Sequence, residues 1–256
     1  MTHQQDRATI FHALHIKGDP IILFNIWDVG SAQAVAKAGA KAIATGSRSV
    51  AAALGFGDGE ALPLDKALAH VSAIVASSSL PVTLDFEGAY ARDPDTVAAH
   101  TRAALGTGVI GFNFEDQIIG GEGLYPIPEQ SARIAAMRGA CQTAGVNAFV
   151  NARTDIFLKA PRDTHNDEMV EHAITRAIAY KNAGASGFFA PGLVDLALIT
   201  RLCIASPIPI NVMALPGAPN NATLAEAGVA RISYGPIPWT KAMAFVEDSA
   251  RAALSR

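Results

Sequence analysis

The sequence predicts one α/β domain, residues 1–256, folded as a single (β/α)8 barrel of the TIM type, and three observations carry that prediction. Five times a helix-like segment stops at a glycine and passes through a small or branched residue into an apolar run: "KAGAKAIATG", "GTGVIGFNFED", "TAGVNAFVNARTD", "NAGASGFFAPG" and "EAGVARISYG". A glycine supplies the left-handed cap that ends a helix, and the branched or aromatic residues after it suit a buried strand. The apolar runs are nearly continuous rather than alternating, as in a parallel sheet covered on its outer face by helices. Finally, 256 residues, half of them hydrophobic, suffice for one large core of the size such barrels have.

Taken in order, "PIILFNIWD" opens the chain with a strand near 21–26, and Asp28 in "DVGSA" is placed to cap a helix near 30–39. Further strands fall near 42–45, 81–86, 109–115, 147–152, 186–190, 208–213 and 229–233. Helices fall between and after them near 63–78, 94–106, 129–144, 167–183, 193–205, 221–227 and 238–254. Those near 94 and 129 begin with proline in the first turn, in "PDTVAAH" and "PEQSARI". The seventh unit is the thinnest, because "LPGAPNNATLAEAG" leaves room for only a short helix. No linker or low-complexity tract divides the chain.

A net charge of −3 with scattered basic residues argues against nucleic acid as a partner. No apolar run reaches membrane-spanning length, and "MTHQQDRATIFHALHIKGD" has no signal-like apolar stretch, so no membrane partner is expected. Cys141 and Cys203 lack metal-ligand spacing and read as reduced thiols, which fits a cytoplasmic protein.

Barrel chemistry sits where strands run into the following loops. Those positions hold Trp27 and Asp28, Thr45, Gly46 and Ser47, Asp85 and Glu87, Glu115 and Asp116, Arg153 and Asp155, Pro191, Asn211 and Tyr234. Residues two apart on a strand share a face, so Asp85 and Glu87 are expected to point together, with Glu115 of the neighbouring strand converging on them. Three grouped carboxylates repel one another unless a cation compensates. The seven histidines all avoid the strand ends, leaving a hard-oxygen set that suits Mg²⁺, or Mn²⁺ in its place. Against this, any single acid can instead pair with Arg153 or cap a helix. Arg153, in "NARTD", suits a substrate carboxylate or an enolate oxygen, or else neutralises Glu115 or Asp155. "TGSRS" offers hydroxyls and flexible amides as a carboxylate nest, a composition many loops share. Asn211 is a weaker signal of the same kind.

Together "LDFEGAY", "GFNFEDQ", "NARTD" and "LGFGDG" resemble motifs of the isocitrate lyase and phosphoenolpyruvate mutase superfamily, and the likeness runs in order from "IWD" to "RISYGP". The resemblance implies a Mg²⁺-dependent (β/α)8 enzyme that cleaves or rearranges a C–C or P–C bond of a small 2-oxo or enol carboxylate. It makes Asp85 the principal metal residue, with Asp58, Glu87 and Glu115 ordering metal-bound waters. Thr45, Gly46 and Ser47 would hold the substrate carboxylate beside Trp27, Arg153 would stabilise the oxyanion, and Asn211 would contact the distal group. Arg153 and Glu115 are thus the candidate catalytic residues. A homo-oligomer, dimer or tetramer, is also implied, with the C-terminal helix exchanged between subunits or folded on its own barrel.

Two departures from the resembled pattern stand out. The lyases' "KKCGH" loop, whose cysteine is the general acid, is replaced by "IIGGEGLYPIPEQ". "FFAPG" puts Ala190 and Pro191 where lyases carry an acid and the mutase a histidine. Such a chain best fits the branch resembling carboxyphosphonoenolpyruvate phosphonomutase or 2-methylisocitrate lyase. Tyr125 and Glu122 are candidates for proton delivery, and each reads equally as an ordinary loop residue. Two alternatives stand beside this: an oxaloacetate-type decarboxylase or hydrolase, which needs no cysteine acid, and a non-catalytic barrel that binds a carboxylate metabolite.

Overall fold

The computed structural model describes residues 3–255, so the expected bounds 1–256 reach slightly beyond it at both ends. Eight parallel strands form one sheet: β1 (Ile21–Leu23), β2 (Ile43–Ala44), β3 (Val82–Asp85), β4 (Gly111–Glu115), β5 (Phe149–Arg153), β6 (Gly187–Phe189), β7 (Ile210–Met213) and β8 (Arg231–Ser233). Their order is β1-β8-β7-β6-β5-β4-β3-β2. The remaining joint, between β1 and β2, is closed by one bridge from Ile26 to Thr45, so the sheet is a nearly closed barrel.

The eight expected helices are present within a few residues of their predicted bounds: α2 (Val29–Lys37), α4 (Leu64–Ala76), α5 (Pro94–Leu105), α6 (Ile127–Thr143), α7 (Asp167–Asn182), α8 (Leu196–Ala205), α9 (Asn221–Glu226) and α10 (Ile237–Leu254). Asp28 caps α2 by accepting from Ser31 N at 2.7 Å, and the Ser31 hydroxyl answers on Asp28 N. The glycines of the five repeated joints, Gly39, Gly108, Gly145, Gly184 and Gly228, all have positive φ, the conformation that ends each helix.

Two further helices, α1 (His3–Ala13) and α3 (Ser47–Ala53), lie outside the repeat pattern. Helix α1 packs Ala8 and Phe11 into the core, with Phe11 edge-on to Phe149. A Cβ on Gly111 would lie 2.9 Å from Thr83 Oγ1 and 3.3 Å from Phe11, which explains the bare backbone at the start of β4. Helix α10 behaves differently from the other barrel helices. It buries only Pro238, and Phe245 is 72% exposed. Ile22 of β1 and the following Phe24 are correspondingly uncovered. Among the described residues no helix is long and apolar enough to cross a membrane.

Candidate active site

Side chains at the carboxyl ends of the strands surround a cavity of about 300 Å³. Gly46, Ser47, Asp58, Asp85 and Asn113 line one side, and Phe189, Pro191, Met213 and Leu215 the other, with Arg153 also on the lining. Strand register sets this arrangement. Asp85 pairs with Asn113, Glu115 with Arg153, Arg153 with Phe189, and Met213 with Ser233.

Asp85 ends β3 and is held by its neighbours before any ligand arrives. Its Oδ2 accepts from Ser47 N at 2.9 Å, its Oδ1 from Asn113 Nδ2 at 3.3 Å, and its own N–H donates to Thr45 Oγ1 at 2.9 Å. The "TGSRS" segment is therefore partly spent on Asp85, and from Ser47 onward it is helix rather than flexible nest. Glu87 departs from the two-residue strand logic, since β3 stops at Asp85 and Glu87 has φ +50°. Its carboxylate turns to accept from Glu60 N at 2.8 Å. Burial first, then the nearby Asp85, pushes its pKa up to about 8. Asp58 is raised for the same two reasons.

Arg153 is the cation facing this cluster. Its Nη1 lies 2.8 Å from Glu115, while Nε and Nη2 grip Asp155 at 2.6 and 2.9 Å. Burial opposes its charge, but Glu115 and Asp155 outweigh that and hold its pKa above the ordinary value. Burial likewise drives Glu115 upward against the pull of Arg153. Because the guanidinium keeps its proton, we read the two as an ion pair. Behind them Asp116 is a structural acid: it accepts from Asp155 N, Arg176 and Tyr180.

The donor set fits a hard dication. Arg153 accounts for Glu115 and Asp155, so Asp58, Asp85 and Glu87 have no ion-pair partner among the described residues. A small space of about 20 Å³ beside Asp85 and Glu87 has room for about one water. No three His, Cys, Asp or Glu among the described residues are placed to grasp an ion together. An ion seated on Asp85 would thus keep several waters, as Mg²⁺ does.

Several predicted residues lie away from the cavity. Trp27 packs edge-on against Trp239, and its carbonyl accepts from His70. Asn211 is buried and bonds Ser233 Oγ at 3.1 Å. Thr45 and Glu87 line the smaller space instead, and Tyr125 is buried with its ring 4.0 Å from the Arg133 guanidinium carbon. Glu122 is exposed and is not on the lining. Sequence reasoning passed over Asn25, Arg48, Asn113 and Met213, all on the lining. Asn113 was findable, since it stands two residues before Glu115 on one strand. Asn25 supports the rim by accepting from the backbone of Tyr234 and Gly235 and donating to Thr45 O.

Residues 11–254 match the family model for phosphoenolpyruvate phosphomutase. A Burkholderia cenocepacia J2315 protein provisionally named a phosphonomutase is 45% identical, with a TM-score of 0.95 over 98% of this chain and 99% of that one. The 2-methylisocitrate lyase of Escherichia coli K12 is 28% identical over 78% of this chain and 67% of its own. A phosphonopyruvate hydrolase solved with oxalate and Mg²⁺ is 20% identical, with a TM-score of 0.82 over 96% of this chain and 86% of that one, a likeness of fold. The chain therefore belongs to the phosphoenolpyruvate phosphomutase family, within the isocitrate lyase and phosphoenolpyruvate mutase superfamily, and is at that level an enzyme.

Proposed function

We propose that this enzyme is a Mg²⁺-dependent lyase or phosphonomutase, cleaving or rearranging a C–C or P–C bond of a small 2-oxo or enol carboxylate through an enolpyruvate-like species. The observation that carries the reading is the set of unpaired acids: Asp58 and Asp85 share one cavity with the Arg153 guanidinium, and Glu87 lines the small adjoining space that also reaches Asp85. Asp85 would hold the ion, with Asp58, Glu87 and Glu115 receiving its waters. When bound, Mg²⁺ supplies Lewis-acid polarisation of the substrate's oxygens. The solved Mg²⁺ and oxalate complex of the hydrolase relative supports this choice of ion.

Arg153 supplies the fixed positive end. Three of its five N–H donors are engaged by Glu115 and Asp155, so two remain for a developing oxyanion. Clamped on two acids, it needs no reorientation as charge develops. Neither cysteine reaches the cavity: Cys141 and Cys203 are buried, and burial pushes their thiols up to about 11 and about 12. That favours, as a second reading, decarboxylation or hydrolysis of an oxaloacetate-type substrate, where a cysteine acid is not needed. Both cysteines being free also supports a cytoplasmic location.

The test is to incubate the protein and Mg²⁺ with oxaloacetate, 2-methylisocitrate and phosphonopyruvate, and to follow pyruvate, phosphoenolpyruvate and oxalate as products. We expect release from one of them that EDTA stops and that Asp85→Ala lowers by at least about a hundredfold. Undiminished turnover in the variant would remove Asp85 from the metal site, and no product from any of the three would favour a binding barrel.

The C-terminal helix bears on assembly, and we infer a homo-oligomer in which α10 of one subunit covers the bare β1 face of another. An 18-residue helix that buries one side chain gains little from its own barrel. The matching gap, at Ile22 and Phe24, is where the eighth helix of the barrel would otherwise lie.

A further inference from the structure

We propose that the substrate carries a short alkyl substituent on C3, the carbon beyond its 2-oxo or enol carbon, and that the β5–β7 side of the cavity is its binding wall. This deepens the proposed function and rests on it. The cavity is divided by polarity. Its acids and Asn113 stand on the β2–β4 side and Asn25 follows β1, whereas Leu158, Phe189, Pro191, Met213 and Leu215 stand on the β5–β7 side, with Phe189 registered directly beside Arg153. A substrate whose carboxylate and C2 oxygen face Asp85 and Arg153 can lay C3 on the apolar wall beside Arg153.

On that wall a charged C3 group would lose water and meet as charged donors only the exposed Arg162 and what Arg153 has left. Arg153 on that side is committed to Glu115 and Asp155, and Arg162, the other charged side chain there, is exposed and donates to Pro216 O at 2.8 Å. Ser233 Oγ is already shared with Asn211. An alkyl group gains instead, because it covers apolar surface, and Met213 is a flexible side chain that adapts to its shape.

Calorimetry with the Mg²⁺-loaded protein tests this. Oxalate is titrated first, then pyruvate, 2-oxobutyrate, 2-oxopentanoate and phosphonopyruvate. The expected result is that oxalate binds, that each added methylene tightens 2-oxo acid binding about fourfold, and that phosphonopyruvate binds no better than pyruvate. In Leu158→Asp, at a half-exposed rim position, the gain with chain length should vanish. If oxalate binds but affinity is flat with chain length, or phosphonopyruvate binds tightest, or the variant keeps the gain, the alkyl wall is refuted while the active-site reading survives. If oxalate does not bind, both fall.

Discussion

Arg231 carries a guanidinium inside the barrel, with Nη2 on Asn113 Oδ1 at 3.0 Å and Nη1 on no partner among the described residues. Burial pulls its pKa down to about 9, opposed by the charge of Asp85. Asn113 stands between them, accepting from Arg231 and donating to Asp85. The buried cation thus orients the amide that orients the carboxylate. Since no carboxylate among the described residues pairs with it directly, an apolar replacement of similar volume should be tolerated by the fold. Arg231→Met is expected to leave unfolding free energy within about 1 kcal/mol of the parent, or to raise it. Turnover should fall about tenfold or more as Asp85 loses its support. Urea titration beside kinetics checks the pair, and parallel losses would make Arg231 merely structural. At this scale the sequence was readable where a residue ended an apolar run, as with Asp85 and Arg153. It was not readable for Arg231, which looks like a charge interrupting a strand until the closed barrel supplies an interior for it.

The segment after β3 is held in a costly shape. Glu87, Ala89 and Tyr90 all take positive φ without being glycine, each at a cost on the order of 1 kcal/mol. Arg133 of α6 supplies the restraint. Fully buried, it donates to Gly88 O and Ala91 O at 2.8 and 2.9 Å and to the Gln130 side chain, and it stacks on Phe114 and Tyr125. Glu60 adds a second hold by accepting from Tyr90 N. Removing the clamp strands two buried carbonyls, so Arg133→Ala should cost about 3 kcal/mol. Arg133→Lys should fail to rescue it, because a single ammonium cannot reproduce the planar fork. A loss below about 1 kcal/mol in urea titration would show that the loop holds itself. Helix positions were legible because glycine and proline punctuate them. This turn was not, because its conformation is set by an arginine some 45 residues downstream, a contact that periodicity cannot register. The same blindness put Glu87 on the strand and missed α3, whose start coincides with the expected loop.

For the whole molecule, the repeat count and apolar runs were enough to give the barrel, because each unit follows local rules. Assembly is written in what those rules leave over. Helix α10 has an apolar face with nothing of its own to cover, and Phe245 and Val246 stand largely in solvent. If a second subunit accepts that face, Phe245→Asp with Val246→Asp should convert the oligomer to monomers in sedimentation and lower the thermal midpoint. An unchanged sedimentation coefficient would place the helix elsewhere.

The barrel's hydrogen-bonded wall is continuous except at one seam. There Ile26 N reaches Ala44 O at 2.9 Å, Gly46 N reaches Ile26 O at 3.1 Å, and Asn25 adds its amide on Thr45 O. The carbonyl and amide that close the ring thus belong to the residues immediately before Ser47, whose own amide steadies Asp85. Any breathing of the cylinder will begin where fewest bonds must break, and there it slackens the grip on the acid the chemistry needs. Ring closure and catalytic readiness are in that sense one mechanical event, fastened by two backbone bonds and one asparagine.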